Sequence, residues 1–225
     1  MQITPPKDLQ ELQLRCQQLA GQSLGCLAKE LDLNTPADLL HAKGWVGQLL
    51  EAYLGANSSS KALPDFADLG IELKTIPINH QGKPLESTYV CTVQTNNSAL
   101  TWQDSWVYNK LKHVLWVPII SSADLAITDR MITTPFFWQM DQQIEDTLRT
   151  DWEELMEMLQ LGHAKNLSAK FGTYLHIRPK AANNSVLVDY TDADGHATKI
   201  VPKGFYLRAD FTRMILATTT QNNNN

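Results

Sequence analysis

A mixed α/β (α+β) fold, a central mixed sheet flanked by helices, is what this sequence predicts, and three observations carry the prediction. Apolar residues in the first part of the chain recur at the helical period. From Gly70 the pattern changes to the two-residue alternation of a strand. Residues 114–120 (Val-Leu-Trp-Val-Pro-Ile-Ile) are an unbroken apolar run of the kind covered on both faces of a sheet. With 225 residues the chain is below the ~250–300 at which a single core stops growing, so it makes one large domain or two lobes sharing a hinge.

Each element follows from local chemistry. Leu9, Leu12, Cys16, Leu19 and Ala20 share one helical face, and Ser23 can cap a second helix bearing Leu24, Leu27, Ala28 and Leu31, because its hydroxyl accepts an amide left over in the first turn. Thr35-Pro36 predicts a short helix with proline at its first position. Beyond Gly44, the wide stripe Trp45, Val46, Leu49, Leu50, Tyr53 and Leu54 predicts another that stops at Gly55. Residues 56–61, rich in Asn and Ser, read as a mobile loop leading into Pro64-Asp65. Ile71, Leu73 and Thr75 then alternate with Glu72 and Lys74; with the turn His80-Gln81-Gly82-Lys83 and the β pattern of residues 87–93, this predicts a hairpin. Trp152, Leu155, Met156 and Leu159 mark an amphipathic helix ending near Gly162, and strands are expected over 173–178 and 204–208. Asp210 caps a last helix with Phe211, Met214, Ile215 and Leu216, and the low-complexity tail 221–225 is expected to be disordered.

Composition narrows the class. At 43% hydrophobic and 19% charged, the chain is neither collagenous, coiled-coil nor wholly disordered. No apolar run reaches the ~18 residues of a membrane span, and the first residues lack a secretory signal, which points to the cytoplasm. Three cysteines without a C-x-x-C pair fit neither a disulfide framework nor a thiolate zinc site, and the six histidines show no zinc-ligand spacing. There is no G-x-x-x-x-G-K-[ST] loop, hence no ATP site. The net charge of −5 conceals an asymmetry: residues 141–157 hold seven acids against Arg149, whereas 163–213 hold eight Lys or Arg against four Asp. That contrast suits an anionic ligand on one face and equally suits two solvated faces.

Asp65, Glu72 and Lys74 carry the most chemistry. Glu72 and Lys74, two apart on a predicted strand, point to the same face. Carboxylates from Asp65 and Glu72, with the backbone carbonyl of Leu73, are hard oxygen donors that suit Mg²⁺, and Lys74 beside the ion is placed to orient or deprotonate an attacking water. Such an ion activates water and offsets phosphate charge, which is what phosphodiester hydrolysis requires. Pro64-Asp65, six residues, then Glu72-x-Lys74 reads as the PD-(D/E)-x-K pattern of restriction-type nucleases; taken alone, the same residues also describe an ordinary Glu–Lys ladder on a strand edge.

Longer stretches resolve that ambiguity. They are Lys43-Gly44-Trp45-Val46-Gly47 with Leu50-Glu51; Asp65-Phe66-Ala67-Asp68-Leu69-Gly70-Ile71-Glu72-Leu73-Lys74-Thr75-Ile76-Pro77; and Lys110-Leu111-Lys112. To these add Asp151-Trp152-Glu153-Glu154-Leu155-Met156; Ile177-Arg178-Pro179-Lys180-Ala181-Ala182-Asn183; and Gly204-Phe205-Tyr206-Leu207. Over nearly its whole length the chain resembles the MutH family of mismatch-repair endonucleases. The resemblance implies a restriction-endonuclease-like fold of two lobes around a DNA cleft, within a single domain over 1–220: a catalytic lobe including roughly 40–120 and a basic DNA-reading lobe including roughly 163–213. It implies a monomeric enzyme that uses Mg²⁺ (Mn²⁺ substituting) to nick the unmethylated strand of hemimethylated GATC sites, 5′ to the G. MutL would be its activator, with MutS upstream, and its substrate double-stranded DNA with hemimethylated or unmethylated GATC. By position, Asp65, Glu72 and Lys74 are then the catalytic trio, Glu51 an additional acid near the metal and Lys110 an additional lysine. Lys43 with Gly44 would enter the minor groove, Arg178 and Lys180 would reach the GATC segment, and Tyr206 would sense the adenine N6 methyl group.

The resemblance is weak over 184–200 and at 217–225. Trp102, Trp106, Trp116, Trp138 and Trp152 are scattered and read as structural rather than as base-stacking platforms. The alternatives are a GATC-type restriction endonuclease of the same fold, which would need a dimer or a duplicated domain although no second motif is visible, and a DNA-binding scaffold without catalysis.

Overall fold

The computed structural model describes residues 3–39, 42, 44–94, 101–122, 124–180 and 186–222, the last four by backbone alone. Lys43 and the end of the tail, 223–225, lie outside the described residues. The chain forms two compact units: Met1–Glu86 with His113–Gln139 and Ile215–Asn225, and Ser87–Lys112 with Met140–Met214.

In the first unit, helix α1 (Leu9–Leu19) starts at Asp8, whose side chain accepts from the Glu11 amide at 2.8 Å. Helix α2 (Leu24–Glu30) starts at Ser23 as the sequence requires, its hydroxyl accepting from Cys26 N at 3.1 Å. Helix α3 (Trp45–Leu54) is bounded by two left-handed glycines, Gly44 (φ 89°) and Gly55 (φ 79°). At Gly55 glycine is obligatory, since a Cβ there would lie 2.5 Å from the Thr4 carbonyl oxygen. Residues 35–39 are not helical; so short a segment does not repay helix nucleation.

Strand β1 (Glu72–Ile78) runs parallel to β3 (His113–Ile120), in register from Glu72 opposite Val114 to Ile78 opposite Ile120. On its other edge β3 takes two antiparallel partners, β4 (Met131–Ile132) and β5 (Phe136–Gln139). Six of the eight residues of β3 are buried, as its apolar run demands. Leu73, Leu115, Val117 and Ile119 join Leu12, Leu27, Leu50, Leu54 and Phe66 in one apolar cluster, which seats α1, α2 and α3 on one face of the sheet.

The second unit is built on β2 (Thr88–Thr92), β9 (Lys203–Leu207) and β6 (Leu175–Pro179), paired antiparallel in the order β2-β9-β6. Helix α4 (Trp106–Leu111) carries Lys110, and the long helix α5 (Gln142–Gln160) buries Leu148, Trp152, Leu155, Met156 and Leu159. Strands β7 (Val188–Thr191) and β8 (Ala197–Ile200) form a separate hairpin, and helix α6 (Ala209–Asn222) follows β9. It takes in the first two residues of the tail expected to be disordered.

The predicted hairpin is corrected. The turn forms, with Asn79 N bound to the Lys83 carbonyl at 3.0 Å and Gly82 at φ 77°, but the strands on either side of it enter different sheets. Pro77 and Pro84 lack the amides a hairpin ladder would use, while the apolar residues of β2 find their cover beside β9. The described residues of Ser87–Lys112, inside the range 40–120 assigned from sequence to the catalytic lobe, belong to the second unit.

One buried charge organises that unit. Asp151, 3% exposed on α5, accepts from three successive amides, Thr173 N (2.6 Å), Tyr174 N (2.6 Å) and Leu175 N (2.8 Å), and so anchors the start of β6. Gly172 must be glycine here: its φ is 83°, and a Cβ would fall 1.8 Å from the Leu175 carbonyl oxygen. No helix among the described residues is long and apolar enough to cross a membrane. Removing the Asp151 acceptor orphans three amides, so Asp151→Ala should lower unfolding free energy by on the order of 3 kcal/mol in urea titrations. Unchanged stability would mean that water replaces the carboxylate.

Candidate active site and nucleic-acid interface

Glu72 and Lys74 share the face of β1 opposite the helical cluster, since it is their neighbour Leu73 that joins that cluster. Both are buried, 2% and 9% exposed, and Lys74 Nζ lies 2.5 Å from Glu72 Oε1. Charges taken out of water are tolerated only when paired, and this pairing lets strand β1 carry two of them through a core.

Asp65 reaches the same strand by a closed loop. Phe66 and Ile71 exchange backbone hydrogen bonds (2.9 and 3.3 Å) around a single 3-10 turn, Ala67–Leu69, and Gly70 at φ 65° closes it. The six-residue spacing thereby folds back on itself, and Asp65 Oδ2 accepts from Leu73 N at 2.9 Å, between Glu72 and Lys74.

Asn57, which the sequence assigned to a mobile loop, secures this arrangement. The amides of Asn57 and Ser58 bind the Asp65 carbonyl at 3.0 and 3.1 Å. The Asn57 side chain accepts from Ala67 N (3.1 Å) and donates to Asp68 Oδ2 (2.7 Å). Only the Asn-rich composition hinted at turn chemistry of this kind.

The other proposed residues lie on separate elements. Glu51 is half-buried on α3, the helix whose Leu49, Leu50, Tyr53 and Leu54 join the apolar cluster. Lys110 is buried on α4 in the second unit. Gly44 is exposed, and a Cβ placed there would meet nothing within 4 Å, so its left-handed φ alone calls for glycine.

The donor set is carboxylate and carbonyl oxygen, without sulfur or imidazole, which fits Mg²⁺ or Mn²⁺. Among the described residues, the three-member acidic group with converging ligand atoms is Asp192, Asp194 and His196, in the β7–β8 turn. Turn chemistry accounts for it: Asp192 Oδ1 accepts from Asp194 N (3.1 Å) and His196 N (2.9 Å), and the His196 amide chiefly holds the Asp192 carboxyl below its usual range.

The basic residues meet on one face of β2-β9-β6. His176 and Arg178 alternate along β6, opposite Tyr206 and Gly204 of β9, and Lys180 follows just past the strand end, its amide bound to the Pro202 carbonyl at 2.8 Å. Arg178 and Lys180 are exposed. The half-buried Tyr206 ring meets Tyr89 edge-on at 5.4 Å, and the Arg178 guanidinium carbon lies 5.5 Å from its centre. A Cβ on Gly204 would come within 3.0 Å of Tyr89 and 3.1 Å of Tyr206, so glycine leaves room for both rings. His176, missed in the sequence because it lacks any ligand spacing, is buried beneath, 6.2 Å from the Tyr206 ring. Burial, then Arg208, then Arg178 push its pKa down to about 4.

The chain is similar to known proteins over most of its length. Residues 54–151 match the family model described as DNA mismatch repair enzyme MutH. The DNA mismatch repair protein MutH of Shewanella baltica (strain OS195) is 48% identical over 215 residues, covering 95% of this chain and 96% of that protein. The protein of the same name from Yersinia enterocolitica is 47% identical over 214 residues, covering 95% and 94%.

His176 makes stability depend on pH. Its folded pKa lies below the unfolded value near 6.5, so the unfolded chain binds more protons between about 6.5 and 4 and stability falls as pH drops through that window. The loss should be on the order of 3 kcal/mol. His176→Gln should flatten that part of the pH–stability curve in chemical denaturation, and an unchanged curve would relieve His176 of the role.

Proposed function

Because this chain belongs to the MutH family of DNA mismatch-repair endonucleases, hydrolases of phosphodiester bonds with a restriction-endonuclease-like fold, we propose that it nicks the unmethylated strand of hemimethylated GATC sites, 5′ to the G. The observation that carries the reading is the buried Glu72–Lys74 pair on β1, with Asp65 tied to the amide between them.

The residues that would hold Mg²⁺ are Asp65, Glu72 and the Leu73 carbonyl, with Glu51 supporting them. When bound, the ion lowers the pKa of a water and offsets phosphate charge. The protein's own part begins with the Leu73 amide, which holds the Asp65 carboxylate against the strand before any ligand arrives. Lys74 Nζ donates to Glu72 Oε1, and the same ammonium orients the attacking water and offsets charge gathering on the phosphate. Lys110 is proposed as a second cation at the phosphate. Lys43 with Gly44 would contact the minor groove.

Recognition is proposed for the face bearing Arg178, Lys180 and Tyr206. A guanidinium matches the paired acceptors of guanine, an ammonium matches phosphate, and a ring and hydroxyl beside adenine N6 would meet both the bulk of a methyl group and the loss of a donor position. The enzyme would act as a monomer, whose single site suits a single-strand nick. The net charge of −5 gives poor long-range attraction to DNA, so binding would rest on the local basic face and weaken steeply with salt, which is a physical reason for activation by MutL with MutS upstream.

The test is Mg²⁺-dependent cleavage of a strand-labelled hemimethylated GATC duplex, beside a fully methylated copy and one lacking GATC. Cleavage should be confined to the unmethylated strand. Failure to cut any DNA, even with MutL and ATP added, would leave a fold that has lost its chemistry. Lys74→Ala should retain DNA binding and lose at least ~100-fold in nicking rate. Tyr206→Ser should still cut but with reduced discrimination between methylated and unmethylated strands; equal discrimination would place methyl sensing elsewhere.

A further inference from the structure

Lys180 sits on the surface, where a lysine ammonium ordinarily samples many rotamers, yet it is tied down. Its Nζ donates to Tyr89 Oη at 2.6 Å and to Thr92 Oγ1 at 2.7 Å, and those two oxygens are 2.9 Å from each other. The three polar atoms close a triangle that joins the outer strands of the β2-β9-β6 sheet across β9.

A backbone irregularity serves this triangle. Residues three apart on a regular strand point to opposite faces. Here the pairing of β2 with β9 shifts between Tyr89 and Cys91, so that Tyr89 opposes Tyr206 while Thr92 opposes Gly204, and Tyr89 and Thr92 emerge on one face. Gly204 of β9 stands opposite Thr92 on one side and Arg178 on the other, and any Cβ there would crowd the Tyr89 and Tyr206 rings. Exposed polar contacts contribute little to stability, so a bulge that brings two hydroxyls to an exposed ammonium points to a ligand.

We propose that the Tyr89 and Thr92 hydroxyls are positioning groups that hold the Lys180 ammonium in place for a phosphate of duplex DNA. The inference rests on the reading of this face as the DNA interface. An ammonium has three donors, and two are directed at these oxygens. Two hydroxyls that share one mutual hydrogen bond keep one hydroxyl hydrogen to give. The cluster therefore offers one ammonium and one hydroxyl donor to a third partner, a set suited to an anionic oxygen. Fixing the side chain before DNA arrives removes the ordering cost from the binding step.

The experiment measures Kd, KM and kcat for the GATC duplex over a salt series in Tyr89→Phe/Thr92→Val, Lys180→Ala and the triple variant. The double variant keeps the ring and the branched shape. It should bind about fivefold more weakly. KM should rise with kcat nearly unchanged, equally for DNA with and without GATC. Lys180→Ala should bind about tenfold more weakly, with a salt slope shallower by about one. The triple variant should match Lys180→Ala, because hydroxyls that act through the ammonium have nothing left to position. Tyr89→Phe/Thr92→Ser, which retains one hydroxyl of the pair, should recover part of the loss seen in Tyr89→Phe/Thr92→Val. If Lys180→Ala binds like the native protein, the reading of this face as a DNA interface fails. If Lys180→Ala weakens binding but the double variant does not, or the two losses add in the triple variant, the positioning inference fails and the DNA reading stands. A loss confined to GATC-containing DNA would overturn the assignment to phosphate.

Discussion

A carboxylate and an ammonium buried side by side constrain everything around them. Glu72 and Lys74 occupy alternate positions of β1, almost out of contact with water, and their mutual hydrogen bond offsets part of the cost of burying both. That requires a rigid strand, and rigidity comes from the seven-residue parallel register with β3, whose apolar run admits no competing solvent. The helices then have a defined task, which is to cover the opposite face, and α1, α2 and α3 meet there in the cluster around Leu73 and Leu115. The buried pair is thus bound to the same backbone pairing that organises the first unit.

Asp65 is governed by a different constraint, the geometry of a short chain closing on itself. Its carboxylate touches the Leu73 amide because a 3-10 turn and the left-handed Gly70 bring residues 66 and 71 into mutual hydrogen bonding. Asn57 reinforces the closure from outside. The second unit uses the same device at larger scale: Asp151 gathers three amides at the entrance to β6, the strand that leads to Arg178 and Lys180. In both places a carboxylate on the backbone fixes where a strand begins, and the strand's alternation does the rest.

Legibility in the sequence followed the range of the interactions concerned. The cap at Ser23, the stop at Gly55, the buried run of β3 and the shared face of Glu72 and Lys74 depend on residues a few positions apart, and periodicity reads them directly. The pairing of β2 with β9 joins residues more than a hundred positions apart, so the local pattern around His80–Lys83 suggested a hairpin that the sheets do not contain. Asn57 looked like loop filler because an Asn side chain reveals its partners only when the loop has closed. His176 looked like any other histidine, since its depressed pKa comes from burial and from Arg208 and Arg178, which packing brings near.

By itself the sequence determined the class of fold, most of the helices, the placement of a carboxylate and an ammonium on one strand face, and, through long matching stretches, membership of a family of DNA repair endonucleases. These follow from residue type and short spacing, which persist whatever the remainder of the chain does. Only the tertiary structure decided which strands pair, that the described residues of Ser87–Lys112 join the second unit, and that Lys180 is held by hydroxyls on a strand two places away. The reason is physical: strand pairing and side-chain burial are settled by competition among distant surfaces for the same cover, and no local pattern records which surface wins.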